Sequence, residues 1–423
     1  MKLKIRLSVM NFLQFAVWGA YLTCMGIYLS NAGLGSNIGW FYAVQGIVSI
    51  FMPAIMGIIA DRWIPAQRLL GICHLVAGLF MLACTWYGAT QPTVEFGKLF
   101  ALYTISVAFY MPTLALSNSV AYCSLTKAGM DTVSDFPPIR VFGTVGFICM
   151  MWFVDLLGFK NSYMQFAVSG VVSLVLFVYS FTLPHCPTAP KGERRTLADS
   201  FGLKAFKLFR NRKMAIFFIF SMLLGVSLQI TNGYATPFID SFNVDPQYTD
   251  TFGVKYPVIL YSISQFSETF CILLIPFFMK RYGIKQVMLI AMFAWVLRFS
   301  FLGLGNPGSG VWLFILSMII YGVAFDFFNI SGSLFVDKST DPELRSSAQG
   351  IFMLMTNGIG ATLGSLGAQA VVNTFTHPVP FNGQTYTVGN WSTCWYIFAA
   401  FSLVVGVLFA LMFRPQKTGD IKK

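Results

Sequence analysis

Long apolar runs separated by short polar loops are the dominant pattern of this sequence. Each run is about 20 residues or longer, the length that an α-helix needs to cross the hydrocarbon core of a bilayer. The pattern therefore predicts an all-α membrane protein with twelve transmembrane helices. The predicted helices lie at about residues 8–30, 38–60, 69–88, 97–122, 139–159, 163–184, 214–236, 256–279, 285–304, 311–335, 345–372 and 391–413.

The composition supports a membrane protein and excludes two other classes. Of the 423 residues, 56% are hydrophobic and 10% are charged, and the mean hydropathy is +0.68. Soluble globular proteins contain about 25% charged residues, and disordered chains are poor in apolar residues. The predicted helices and their loops leave no room for a sizeable soluble domain.

The formal net charge is +12, and its distribution predicts the orientation of the chain. An even number of helices places both termini on one side, where the loops carry most of the Lys and Arg residues. The opposite loops carry Lys98, Lys160 and Lys255. Because basic loops stay in the cytoplasm, both termini are predicted to be cytoplasmic. The same distribution explains the basic balance without a nucleic-acid partner.

A basic segment at 185–213 divides the predicted helices into two sets of six. We therefore predict an N-terminal six-helix bundle at 1–184, a cytoplasmic basic linker at 185–213, and a C-terminal six-helix bundle with a short basic tail at 214–423. The second part of the linker fits an amphipathic helix on the membrane surface and a solvated tether equally well.

Polar side chains recur on single faces of three predicted helices in the second half. A charge at membrane depth costs about 3 kcal/mol or more, so these groups need a reason to be there. Any one amide fits helix packing as well as ligand binding, but the whole set favours a wet ligand cavity. The set contains Gln229 and Asn232, Gln265 and Glu268, and Asp326 and Asn329, with Tyr321 and Phe325 one turn apart on the last helix.

The fifth predicted helix carries a stripe of a different kind. Pro137 and Pro138 are predicted to open this helix, and Arg140, Thr144 and Phe147 follow at helical spacing on one face. The stripe offers a cation, a hydroxyl and a ring to a ligand. The position of Arg140 near the cytoplasmic end fits a simple membrane anchor equally well.

Four other polar or aromatic residues within the spans are expected to be structural. Asp155 lies near the outer end of its helix, where it is expected to reach water, and Arg298 is expected to pair or snorkel. Gln14 and Trp18 form a weaker stripe on the first helix, which favours a core position over a ligand contact.

Nothing in the sequence indicates an enzyme, a metal site or a disulfide framework. The eight Cys residues lack paired spacing, and the three His residues belong to no catalytic or metal-binding motif. We therefore predict no catalytic residues and no metal ligands.

Five stretches of the sequence resemble the bacterial nucleoside:proton symporters of the major facilitator superfamily, and the resemblance extends over almost the whole chain. The stretches are DFPPIR at 135–140, FFIFSMLLG at 217–225, LQITN at 228–232, ISQFSET at 263–269 and AFDFFNISG at 324–332.

The resemblance implies the major facilitator fold and proton-coupled uptake of purine and pyrimidine nucleosides across the bacterial inner membrane by alternating access. It implies no cofactor, since the proton gradient supplies the energy. Nucleosides, protons and membrane lipid are the implied partners, with no nucleic acid and no obligate protein partner. Glu268 and Asp326 are the candidates for proton coupling, because a partly dry cavity favours a protonated carboxylate. The implied substrate-binding residues are Arg140, Thr144, Phe147, Gln229, Asn232, Gln265, Glu268, Tyr321, Phe325 and Asp326.

Two alternatives stay open. A sugar or oligosaccharide:proton symporter of the same fold would use similar aromatic, amide and carboxylate groups. A membrane receptor could bind a nucleoside without transporting it.

Overall fold

A computed structural model describes residues 2–188, 203–341 and 344–413. The middle of the predicted linker and the basic tail lie outside the described residues. For clarity, residues 2–188 are called the N-terminal half and residues 203–413 the C-terminal half.

The structure consists mostly of α-helices, several of which are broken within one predicted span. The N-terminal half contains α1 (Lys2–Gly19), α2 (Met25–Leu29), α3 (Ile38–Arg62), α4 (Ala66–Thr90), α5 (Phe96–Tyr110), α6 (Thr113–Lys127), α7 (Thr132–Leu156) and α8 (Met164–Ser180). The C-terminal half contains α9 (Arg212–Asp240), α10 (Phe252–Lys255), α11 (Pro257–Leu304), α12 (Val311–Ser339), α13 (Arg345–Met353), α14 (Ala361–Phe375) and α15 (Trp391–Met412). Short 3₁₀ turns lie at Gly35–Asn37, Phe159–Asn161, Leu203–Arg210 and Ser241–Val244, and π-type turns at Ser30–Leu34 and Leu354–Gly360.

The helices have the length and composition of membrane spans. Among the described residues, nine helical stretches are long and apolar enough to cross a bilayer, and the apolar helix α8 is shorter. The 48 residues of α11 would extend about 72 Å, more than twice the thickness of a hydrocarbon core. Gly283 interrupts α11 with φ 76° and ψ 172°, a conformation that glycine adopts without strain. The protein is a multi-pass membrane protein.

The prediction of an all-α protein is wrong at a β-hairpin between α14 and α15. Strands β1 (Thr376–Phe381) and β2 (Gln384–Gly389) pair antiparallel. Asn382 and Gly383 form the turn, with φ of 48° and 78°. Asn-Gly pairs favour such turns because both residues tolerate positive φ. The signal was therefore present in the sequence, but a hydropathy pattern does not register it.

The start of α7 also differs from the prediction. Pro137 and Pro138 lie inside the helix, which begins at Thr132, rather than opening it. The Asp131 carboxylate accepts a hydrogen bond from the Ser134 backbone N–H at 3.2 Å, and such a bond satisfies a donor that a helix start leaves free. The helix is thus initiated at a polar cap, and Arg140 lies two turns inside it.

Close helix contacts rely on glycine. A Cβ atom on Gly364 would lie 2.3 Å from the Val226 carbonyl oxygen, and one on Gly146 would lie 2.2 Å from that of Phe12. Both distances are far below van der Waals contact, so neither position accommodates a side chain without moving a helix. These glycines therefore allow α14 to approach α9 closely, and α7 to approach α1.

The two halves are joined at one end of the bundle. We call this the hairpin end; it comprises the β-hairpin and residues 19–43, 152–164, 236–262 and 362–375. In the described part of the chain, hydrogen bonds join residues 23–43 and 152–160 of the N-terminal half to residues 236–262 and 362–387 of the C-terminal half. These hydrogen bonds connect Thr23 with Thr236, Ser30 with Thr387, Gly35 and Gly39 with Gln369, Ser36 with Asn373, Ala43 with Thr362, Trp152 with Ser262, Asp155 with Ile259, and Lys160 with Lys255.

A buried ion pair strengthens this junction, and we call it the Asp155 clamp. The Lys160 ammonium lies 2.6 Å from the Asp155 carboxylate, and both side chains are buried. Asp155 also accepts a hydrogen bond from the Ile259 backbone N–H at 2.8 Å, and Lys160 donates one to the Lys255 carbonyl. The expectation that Asp155 reaches water is therefore wrong, because its partners replace water in a closed interface.

Candidate functional site

The stripe predicted on α7 faces the first helix of the N-terminal half. The guanidinium carbon of Arg140 lies 3.9 Å from the centroid of the Phe15 ring, which places the cation over the ring face. Thr144 follows one turn later and is partly exposed, and the buried Phe147 contacts Trp18 edge-on with ring centroids 6.2 Å apart. The cation, the hydroxyl and the ring thus lie along one side of α7, as the spacing predicts.

Gln229 and Asn232 are hydrogen-bonded to each other on α9. The Asn232 side-chain N–H₂ donates to the Gln229 carbonyl oxygen at 3.0 Å. The hydroxyl of Tyr261 on α11 donates to the Asn232 carbonyl oxygen at 3.1 Å. The predicted pair of amides is therefore held in place by a tyrosine from a neighbouring helix.

Arg298 lies completely buried between α11 and α12. It donates to the Ser317 carbonyl at 2.6 Å and is within reach of the Ser264 hydroxyl at 3.4 Å and the Tyr261 hydroxyl at 3.5 Å. Its guanidinium carbon lies 4.6 Å from the centroid of the Tyr321 ring. This geometry agrees with the expected structural role, since carbonyl and hydroxyl oxygens and aromatic faces surround the cation.

Tyr321 and Phe325 form the aromatic part of the site on α12. Their rings are nearly parallel, at 6°, with centroids 5.6 Å apart. Tyr321 is buried and Phe325 is partly exposed, so the pair offers one accessible aromatic surface. Phe325 lines a small cavity together with Trp295 and Asn329.

Two carboxylates and the α7 arginine form a linked set of charges. Asp326 is 4% exposed, and its Oδ2 atom has no hydrogen-bond partner among the described residues. The charges of Asp326 and Glu268 interact electrostatically, and Glu268 also interacts with Arg140 across the two halves. Glu268 is partly exposed, as is Gln265 one turn before it. Because an unpaired buried carboxylate oxygen is costly, Asp326 is poised to accept a hydrogen bond from a ligand or to hold a proton.

Two functional candidates were not singled out in the sequence. Tyr261 lies four residues before Gln265, on the same face of α11, so its spacing did carry a signal. Phe15 supplies the ring under Arg140 from a different helix, and no local pattern indicates such a contact.

Gln14 lies in the core, as expected. Its amide donates to Thr113 at 2.7 Å and lies 2.8 Å from a ring nitrogen of the fully buried His74. In the described part of the chain, no group of three or more His, Cys, Asp and Glu side chains could hold a metal ion.

The protein is a helical membrane bundle whose two halves are hydrogen-bonded at one end. Charged, amide and aromatic groups from the two halves lie along its interior. This combination is typical of a transport protein of the major facilitator type. Comparison with known proteins identifies the kind of transporter. Residues 1–418 match the model of the nucleoside H⁺ symporter family, and the chain belongs to this family.

Two curated relatives from Escherichia coli are similar over nearly their whole length. The chain is 46% identical to the nucleoside permease NupG over 417 residues, covering 98% of this chain and 96% of that protein. It is 47% identical to the xanthosine permease over 425 residues, covering 99% and 98%. Both relatives are permeases, so the protein is a transporter and not an enzyme.

Solved structures agree with this assignment. An aspartate-to-alanine variant of the nucleoside transporter NupG matches with a TM-score of 0.91 at 45% identity, covering 97% of this chain and 100% of that chain. The inward-open xylose transporter XylE from Escherichia coli matches with a TM-score of 0.68 at 14% identity, covering 99% and 97%. This second likeness concerns the fold alone.

Proposed function

We propose that the protein carries purine and pyrimidine nucleosides into the cell together with protons, across the bacterial inner membrane. One combination of groups carries this proposal. The C-terminal half contains an accessible aromatic pair, hydrogen-bonded amides and two interacting carboxylates, and the charge of Arg140 in the N-terminal half interacts with one of these carboxylates. Membership of the nucleoside H⁺ symporter family supports the same substrate and coupling ion.

Each chemical feature of a nucleoside has a suitable partner in this set. The flat base can stack on Phe325 or Phe147, and amides can pair with its polar edges. Carboxylates can accept hydrogen bonds from the ribose hydroxyls. The proposed substrate-binding residues are Arg140, Thr144, Phe147, Gln229, Asn232, Gln265, Glu268, Tyr321, Phe325 and Asp326.

We propose twelve crossings in two six-helix bundles, 1–184 and 214–423, joined by the linker 185–213, with both termini in the cytoplasm. The length of α11 and its break at Gly283 support two crossings in that stretch. The distribution of basic residues supports the orientation. The hairpin end would then face outward, and the hydrogen bonds across it would close the carrier to the outside.

Alternating access explains how such a bundle transports its substrate. When the hairpin end is closed, substrate and proton can leave towards the cytoplasm, and opening that end while the other closes would expose the same site outside. The proposal includes no cofactor and no obligate protein partner; the proton gradient drives the cycle, and membrane lipid surrounds the helices.

Replacing Gln229, Asn232 or Gln265 with Ala is expected to weaken nucleoside binding about tenfold to a hundredfold, because a buried polar group of the ligand would lose its partner. The measurement is calorimetric titration of each purified variant with uridine in detergent. Gln349→Ala serves as the matched control, since that amide pairs with Ser333 away from the site.

Uptake into proteoliposomes tests the function itself. Wild-type protein is expected to accumulate labelled uridine when the lumen is alkaline, and unlabelled adenosine is expected to compete. Competition by a disaccharide in place of adenosine would identify a sugar symporter, and binding without accumulation would identify a receptor.

For the three amide variants, wild-type affinity in the calorimetric titrations would refute the assignment of the cavity.

A further inference from the structure

A chain of hydrogen bonds runs from the buried cation to the edge of the candidate site. Arg298 reaches the Tyr261 hydroxyl at 3.5 Å, Tyr261 donates to Asn232 at 3.1 Å, and Asn232 donates to Gln229 at 3.0 Å. Arg298 and Tyr261 are completely buried, Asn232 is partly exposed, and Gln229 is 9% exposed. We call this chain of four residues the Arg298 relay.

The chemistry of its first member gives the relay a direction. A guanidinium group only donates hydrogen bonds and stays charged in proteins. The Tyr261 oxygen therefore accepts from Arg298, and its single hydrogen is available to the next group. That group must be the Asn232 oxygen, which turns the Asn232 N–H₂ towards Gln229 and makes the Gln229 oxygen the acceptor.

The relay leaves the donors of its last amide free. One lone pair of the Gln229 oxygen accepts from Asn232, which orients the amide, whereas its N–H₂ has no hydrogen-bond partner among the described residues and is not fully enclosed. A free amide could rotate by half a turn and present either group to a ligand. In the relay, such a rotation would place two N–H₂ groups against each other.

We infer that Arg298 and Tyr261 are positioning residues that fix the polarity of Gln229, so that the site presents N–H donors and selects a ligand oxygen at that point. This inference rests on the proposed nucleoside function and specifies one part of its recognition. The oxygen is a base carbonyl, as in uracil or hypoxanthine, or an oxygen of the ribose.

Arg298 also contacts the aromatic pair of the site, which links the two kinds of recognition. Its guanidinium lies against the Tyr321 ring, on which Phe325 stacks. The cation on the face of the Tyr321 ring holds the aromatic pair in place. The Nη2 atom of the same guanidinium reaches the Tyr261 hydroxyl. One buried cation thus orients both the surface on which a base can stack and the amide that reads a ligand oxygen.

The first test compares Tyr261→Phe with Ser317→Ala. The Phe variant keeps the ring and removes the hydroxyl that transmits the polarity. Ser317→Ala removes a buried hydroxyl that donates to the Arg298 backbone carbonyl at 3.0 Å, outside the relay. Tyr261→Phe is expected to raise the KM for uridine exchange and the Kd for uridine about three- to tenfold, with little change in maximal exchange rate, and Ser317→Ala is expected to match the wild type.

Repeating the titrations with cytidine identifies the oxygen. Cytidine has the same ribose as uridine but carries an amino group where uridine has its 4-oxygen. If Tyr261→Phe weakens uridine binding alone, the selected atom is that base carbonyl; if it weakens both equally, the atom is an oxygen that both nucleosides share. Either outcome supports the relay.

The second test reverses the terminal amide. Gln229→Glu replaces the N–H₂ donor with an acceptor of the same shape and is expected to lower uridine affinity at least tenfold. This variant remains informative if Tyr261→Phe does not fold. Unchanged uridine affinity in Gln229→Glu, or equal KM and Kd in folded Tyr261→Phe and Ser317→Ala, would overturn the inference. Failure of the wild type to bind any nucleoside would instead refute the proposed function.

Discussion

Glu268→Gln is expected to abolish uphill accumulation of uridine while leaving exchange of uridine across the membrane. The amide resembles the protonated carboxyl group in shape and charge, so it can bind substrate but cannot carry a proton. Without proton movement, the gradient no longer biases the reorientation of the carrier, and uridine should only equilibrate. The measurements are accumulation driven by an imposed pH gradient and counterflow of labelled uridine without one.

We expect Glu268 rather than Asp326 to carry the proton. Glu268 interacts electrostatically with Asp326 in its own half and with Arg140 in the other half, whereas Asp326 interacts with Glu268 in its own half. A proton on Glu268 therefore changes the attraction between parts that must separate during alternating access. Asp326→Asn is the matched control and is expected to weaken binding, accumulation and exchange together. Uphill accumulation by Glu268→Gln with acidification of the lumen would place the proton site elsewhere.

Arg140→Lys is expected to lower uridine transport about tenfold to a hundredfold at subsaturating substrate. Lysine keeps the charge but loses the planar fork of donors and the flat face that lies over Phe15. Charge-assisted hydrogen bonds are worth about 1.5 to 3 kcal/mol, which corresponds to this range. Initial rates of uridine uptake in proteoliposomes measure the effect.

An Arg-to-Lys exchange away from the site separates the loss of transport in Arg140→Lys from a nonspecific effect of the substitution on the protein. Arg345→Lys changes an exposed arginine that pairs with Asp337 at 3.7 Å, and its transport should equal that of the wild type. Near-normal uptake by Arg140→Lys would assign Arg140 to the anchor role that its position in the sequence also allowed.

Local spacing was enough to predict much of the candidate site. Arg140, Thr144 and Phe147 share one side of α7, and Gln229 contacts Asn232, because helical periodicity fixes which neighbours face the same way. The electrostatic interaction of Arg140 with Glu268 joins residues far apart in the chain, so it depends on how the halves pack. The resemblance implies that both residues contact the ligand, but no pattern in the sequence indicates that their charges interact.

The incorrect predictions have a related cause. The position of Asp155 near the end of its helix predicts access to water, whereas Lys160 and backbone groups of the opposite half enclose it. Hydropathy describes the preference of one segment for lipid, but it contains no information about which residues of other segments pack against the ends of that segment. The helix start at Thr132 and the hairpin turn at Asn382 depend on single side chains, which are averaged out over a window of about 19 residues.

The Asp155 clamp is chemically unsymmetrical. The N-terminal half supplies two side chains, but the C-terminal half supplies the backbone N–H of Ile259 and the backbone carbonyl of Lys255. Every residue except proline offers both backbone groups, so most replacements at 255 and 259 leave the partners in place. Replacements at 155 and 160 remove the ion pair itself. A saturation scan should therefore find positions 155 and 160 intolerant of replacement and positions 255 and 259 tolerant of it. The C-terminal half of the carrier can thus diverge in sequence at this junction while the hairpin end remains closed.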